Sequence, residues 1–268
     1  MTMGRIEKKF SDLKNKKKKA LILFMTAGDP SLKKNEALIH AFEKEGVDLI
    51  ELGVPFSDPL ADGPVIQASS QRSLKAHTDL HKILALVMRA RKRSQIPILL
   101  MSYLNPVLSY GLRNFAQDAK KSGVDGLIVP DLPPEEGKDI ARVMRQQGLD
   151  LTYLLAPTST HRRKNLIAHA SSGFVYYVSL AGVTGQRKSL PVSLSKMILA
   201  AKKGIRLPLC VGFGVSTPKQ VKALSKTADG IIIGSAVVQL LADHPDLGAT
   251  HFAEKFVRPL ARALGKAS

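Results

Sequence analysis

The chain has 268 residues, 44% hydrophobic and 23% charged. This is close to the roughly 45–50% and 25% of globular proteins, and it excludes a disordered polymer. The net charge is +18, from 40 basic and 22 acidic side chains, and would suit a polyanion. Aromatics make up only 5% and Trp is absent, so the stacking surfaces of a nucleic-acid binder are scarce and no such partner is expected.

The first 19 residues are basic and include the run Lys16 to Lys19. They lack the apolar core of a secretory signal. No apolar run reaches the roughly 18 residues of a membrane span. The single cysteine, Cys210, leaves no intrachain disulfide. Together these features point to a cytoplasmic protein without a membrane partner.

From residue 20 onward a rhythm sets in. Short apolar runs predict strands at 20–26, 48–52, 97–103, 126–130, 151–155, 174–178, 208–212 and 230–234. Near-continuous apolar runs suit parallel strands buried on both faces. Between them, helical patterns cover 32–45, 79–93, 112–121, 135–147, 161–169, 192–203 and 218–226, with a last helix over 251–264. Gly46, Gly123, Gly148, Gly173 and Gly204 stand where helices end, the usual place for a left-handed C-cap. Eight strand–helix repeats predict a (β/α)₈ barrel, the TIM barrel, as one domain over residues 1–268. A doubly wound sheet would need a Gly-rich fingerprint after its first strand, and AGDPS is not one.

In such barrels chemistry sits at the C-terminal ends of the strands. Glu51 ends the second run, and alternation puts it on one face with Leu49. Apolar neighbours at the barrel mouth would raise its pKa and suit it to acid–base work. Asp62 follows in a loop of prolines and glycines, ELGVPFSDPLADGP. That loop is long enough to return a second carboxylate to the site, although Asp in DP and DG pairs also caps turns. Turn chemistry accounts for Asp58, and turn or helix capping is the default for Asp131. Three glycine-bearing loops, at 180–185, 212–216 and 234–236, could cradle a phosphate. The helix that starts at Ser235 would aim its amides at it. Phe24, Tyr103, Tyr176 and Phe213 stand at strand ends and could line an apolar pocket. His77 and His81 are spaced i, i+4, but no third ligand is evident, so no metal is expected. Cys210 reads as a small core residue.

The motifs FMTAGDP, ELGVPFSDPLADGP, SYLNP, VDGLIVPDLP, GVTG, GFGVSTPKQV and GSAVV occur in this order. With them the chain resembles the tryptophan synthase α subunit family, from about Phe10 to the last helix. The resemblance implies retro-aldol cleavage of indole-3-glycerol phosphate to indole and glyceraldehyde 3-phosphate. It implies Glu51 as the acid–base residue and Asp62 as the carboxylate at the indole N–H. It implies a phosphate site on Gly185, Phe213, Gly214, Gly234 and Ser235, and an indole pocket walled by Phe24, Met101, Tyr103 and Tyr176. Thr184 would meet the aspartate on closure, and the loop holding Asp58 would face a partner. That partner would be a pyridoxal-phosphate β subunit in an α₂β₂ assembly, and this chain itself would need no cofactor.

Overall fold

Nine parallel strands form one sheet, in the order β5-β4-β3-β2-β1-β9-β8-β7-β6. The computed structural model describes residues 3–178, 193–212 and 214–266. The strands are β1 (Ala20–Thr26), β2 (Leu49–Gly53), β3 (Ile98–Met101), β4 (Gly126–Ile128), β5 (Asp150–Thr152), β6 (Leu154–Leu155), β7 (Val175–Val178), β8 (Leu209–Gly212) and β9 (Gly230–Ile233). The sequence reading predicted one strand over 151–155, and here two pieces occupy that place. β5 pairs with β4 and β6 pairs with β7. Tyr153 lies between them, and its carbonyl accepts from Tyr176 N–H at 3.1 Å. Counted as one position, β5 and β6 bring the ring to the eight of a TIM barrel.

Alternation along each strand makes two cores. In β1, Leu21, Leu23 and Met25 pack outward against the helices, while Ile22 faces the barrel interior with Leu49, Leu99 and Cys210. Every β1 residue is buried, which explains the unbroken apolar run.

The helices are α1 (Arg5–Asn15), α2 (Leu32–Lys44), α3 (Pro64–Lys75), α4 (Leu80–Arg91), α5 (Leu104–Tyr110), α6 (Leu112–Ser122) and α7 (Lys138–Gln146). They continue as α8 (His161–Ala170), α9 (Leu194–Lys202), α10 (Pro218–Leu224), α11 (Ser235–Asp243), α12 (Ala249–Phe252) and α13 (Arg258–Ala263). The predicted last helix is divided here, with a π-helical turn over Ala253–Val257 joining α12 to α13. The five proposed C-cap glycines all have positive φ.

Three helices had no counterpart in the sequence reading: α1, α3 and α5. The basic segment over 1–19 is not merely a leader to the first strand. Ile6, Phe10 and Leu13 are buried on α1 and join the interior core. Phe10 meets Phe174 with ring centroids 5.9 Å apart. The i, i+4, i+7 spacing of these three was the available signal, and the surrounding lysines obscured it.

The N-terminal end of the barrel is fastened by three aspartates, each one residue before a strand. Asp48 accepts from Leu21 N–H at 2.8 Å, Asp125 from Ile98 N–H at 2.8 Å, and Asp229 from Leu209 N–H at 3.0 Å. Each also holds a cation: Lys266 on Asp48, Arg91 on Asp125 at 2.6 Å and Lys202 on Asp229 at 2.6 Å. Arg5 bonds Asp125 at 2.9 Å and so ties α1 to this end. Among the described residues, no helix is long and apolar enough to cross a membrane.

Truncating Phe10 to Ala should cost about 3–5 kcal/mol, as for other buried aromatics. Urea unfolding of Phe10→Ala would measure it. A cost under about 1 kcal/mol would mean that α1 does not seal the barrel.

Candidate active site

Glu51 pairs in register with Phe24 on β1 and Leu99 on β3. Its side chain points into the barrel and is 0% exposed. Among the described residues, neither carboxyl oxygen has a hydrogen-bond partner. Burial alone pushes its pKa from 4.5 up to about 8. The shift has the direction expected from sequence, but the position is deeper than a strand-end rim. Thr26, Gly53 and Met101 lie two residues further along the three strands, and they line the pocket above. Glu51 does not line it.

That pocket is walled by Phe24, Met101, Tyr103, Asp62, Ile66 and Ser70, among others. It is narrow, with about 10 Å³ of water-sized space, close to one water. The ring of Phe24 lies against Gly53, where a Cβ would stand 2.4 Å from it. Across the barrel, a Cβ on Gly212 would stand 2.5 Å from the Tyr176 hydroxyl. Both glycines permit an aromatic ring to approach backbone that any larger residue would block.

Asp62 precedes α3 and is half-buried. Burial raises its pKa to about 6, opposed by a hydrogen bond from Tyr103. The Tyr103 hydroxyl accepts from Ala61 N–H at 2.8 Å, and its ring stacks on Phe56 at 5.2 Å. Gln67 donates to the Asp62 carbonyl at 2.7 Å. Tyr103 was expected as a pocket wall, and it is also the partner of the aspartate. Burial pushes the Tyr176 phenol well up, and the charges of Glu51, Cys210 and Asp62 push it further. The charges of both carboxyls therefore reach one phenol.

The remaining expected residues divide. Gly214 has φ +80°, and Gly234 caps the N-terminus of α11, which begins at Ser235. Gly185, Phe213 and Thr184 lie outside the described residues. Asp58 is exposed and accepts from the Ser57 hydroxyl, beside Leu60, which is 90% exposed. Asp131 accepts from Leu104 N–H at 3.0 Å and so caps α5. His77 and His81 are exposed, and the His81 ring lies tilted against Tyr110, with centroids 4.4 Å apart. Among the described residues no group of three or more His, Cys, Asp and Glu could hold a metal. Cys210 is buried in the interior. Thr26, Ser70 and Gln67 were not anticipated as parts of the site. They come from packing between β1 and α3, which leaves no local pattern.

The family pattern described as "Tryptophan synthase alpha chain" matches residues 10–263. The chain belongs to the tryptophan synthase alpha chain family. The tryptophan synthase alpha chain of Geobacter sulfurreducens is 47% identical over 263 residues, covering 98% of this chain and 100% of that one. The one from Geotalea daltonii is 50% identical over 237 residues, covering 88% and 90%. The crystal structure of the alpha subunit from Legionella pneumophila superposes with a TM-score of 0.91 at 38% identity, covering 98% and 99%. A chain of the tryptophan synthase complex from Pyrococcus furiosus gives 0.84 at 38%, covering 91% and 99%.

The buried Glu51 has a stability consequence for this chain. Its folded pKa, about 8, exceeds its value of 4.5 outside the fold. The folded state then keeps a proton that the unfolded chain releases, so stability is full below pH 4.5 and falls as pH rises through 8. Glu51→Gln lacks this titration. The variant should gain about 3 kcal/mol over wild type at pH 7 and under about 1 kcal/mol at pH 5. Urea midpoints at the two pH values would measure the gap, and a gap that ignores pH would contradict the burial.

Proposed function

We propose that Glu51 and Asp62 carry the chemistry of this alpha chain. The reaction is cleavage of indole-3-glycerol phosphate to indole and glyceraldehyde 3-phosphate. The carrying observation is the pair of carboxyls in unlike environments near Tyr176. Unlike environments divide acid from base. At neutral pH Glu51 holds its proton and Asp62 has lost most of its own.

Glu51 gives its proton to C3 of the indole, and the ring becomes an indoleninium cation. Asp62 accepts a hydrogen bond from the ring N–H and stabilises that positive charge. The resulting Glu51 carboxylate then takes the proton of the glycerol hydroxyl next to the ring. The C–C bond breaks, its electrons restore the aromatic ring, and the hydroxyl carbon becomes the aldehyde. Glu51 ends protonated, as it began, so the step needs no cofactor in this chain.

An indole ring exceeds the present space, so binding draws Phe24, Met101 or Tyr103 aside. Phosphate would rest on the amides at Gly214, Gly234 and Ser235, the last two at the start of α11, where a helix's first N–H groups have no intrahelical partner. Gly185, Phe213 and Thr184 keep the roles that the resemblance implies. The alpha chain works with a tryptophan synthase beta subunit in an α₂β₂ complex in the cytoplasm. Pyridoxal phosphate belongs to that partner. The exposed loop holding Asp58 and Leu60 is the surface we assign to it.

Glu51→Gln should lower kcat by about 10²–10⁴-fold, and Asp62→Asn by about 10²–10³-fold, in indole release with the beta subunit present. The pH profile of kcat/KM should be bell-shaped. It rises near pH 6 as Asp62 ionises and falls near pH 8 as Glu51 loses its proton. Activity that still climbs above pH 9 would rule out Glu51 as the initial acid.

A further inference from the structure

Helix α3 starts two residues after Asp62, and its first half carries the Gln67 amide that bonds the Asp62 carbonyl. What holds α3 therefore holds Asp62. Two inner contacts join it to the end of β1. The Ser69 and Thr26 hydroxyls meet at 2.6 Å, and the Ser73 hydroxyl donates to the Ala27 carbonyl at 2.6 Å. Outside them stands a bidentate ion pair. Arg72 Nε donates to Asp29 Oδ1 at 2.8 Å and Nη2 to Oδ2 at 2.7 Å.

The aspartate end of this pair is fixed to the scaffold. Asp29 is 5% exposed. Its carbonyl accepts from Asn35 Nδ2 at 3.1 Å, and Asn35 Oδ1 accepts from Gly28 N–H at 2.7 Å. Asn35 is fully buried on α2. The arginine end travels with α3. Arg72 lies eight residues beyond Pro64, about 12 Å along a rigid helix. The connection runs from β1 and α2 through Asp29, Arg72, α3 and Gln67 to Asp62.

We propose that Arg72 and Asp29 are positioning residues for Asp62, locking α3 so that the carboxylate stays inside the pocket. A paired fork gives geometric definition that a single charge contact lacks. A misplacement of about 1 Å at a reacting group can cost up to about 10²-fold in rate. The effect on turnover rests on the catalytic reading of Asp62, whereas the titration of its carboxyl does not. Among the described residues, the titratable groups facing Asp62 are Tyr103, from the loop after β3, and Tyr176, on β7. Asp131 in turn faces Tyr103. Burial holds both phenols above their ordinary value, so neither gains charge while Asp62 titrates.

The test follows the Asp62 carboxyl by ¹³C NMR titration in the full chain, with Asp62→Asn to assign its signal. Turnover is measured with the beta subunit. Wild type should titrate near 6. In Arg72→Met and Asp29→Asn the value should fall by about half a unit or more toward the ordinary range, as water reaches the group. kcat should drop about 5- to 20-fold with KM within about twofold. Arg72→Lys should fall between them. It also carries the test if Arg72→Met does not fold. The proposal is overturned if Asp62 still titrates near 6 in these variants, whether or not turnover falls. A full Asp62→Asn activity would instead sink the catalytic reading and leave the titration arm standing.

Discussion

The structure turns on one carboxyl group held out of water. Closing eight parallel ring positions around a side-chain core leaves no solvent at the level of Glu51. Among the described residues no donor comes within hydrogen-bond reach of either oxygen. An ionised carboxylate there would lack water and partner alike, and its cost would be several kcal/mol. The fold therefore keeps the proton on. The barrel supplies this condition through its register, because a one-residue shift of β2 would send Glu51 to the helical face.

Asp62 obeys the opposite logic with the same materials. It stands on a loop, partly exposed, with Tyr103 donating to it. The hydrogen bond favours its charged form and offsets part of the burial. One carboxyl thus arrives protonated and the other ionised over the same pH range. Tyr176 feels both. The remaining features serve this arrangement: Gly53 and Gly212 let aromatic rings close on it, and α1 seals the far end of the barrel.

Much of the architecture was legible because parallel strands buried on both faces print as unbroken apolar runs, and left-handed C-caps print as glycine. The segments that escaped did so for physical reasons. α1 hides a three-residue apolar face under lysines. α3 is short of strong helix formers at Ser69, Ser70 and Ser73; Ser69 and Ser73 are buried where they bond the end of β1, and Ser70 lines the pocket. The break at Tyr153 follows from β5 and β6 serving different neighbours, a tertiary demand with no local sign. At the site, Glu51 and Asp62 were readable as a pair, but the depth of Glu51 and the Tyr103–Asp62 bond required the closed ring. Asp131 was read as a turn or helix cap, and it caps α5 from a distance in sequence.

Folding the chain thus sets a chemical state, and that state can be read without any substrate. An infrared or ¹³C NMR titration of the Glu51 carboxyl in the folded chain, assigned with Glu51→Gln, observes it directly. The account predicts a midpoint near 8, with the group neutral at pH 7. A midpoint near the ordinary 4.5 would mean that the carboxyl is ionised and solvated, and the account would be wrong at its foundation.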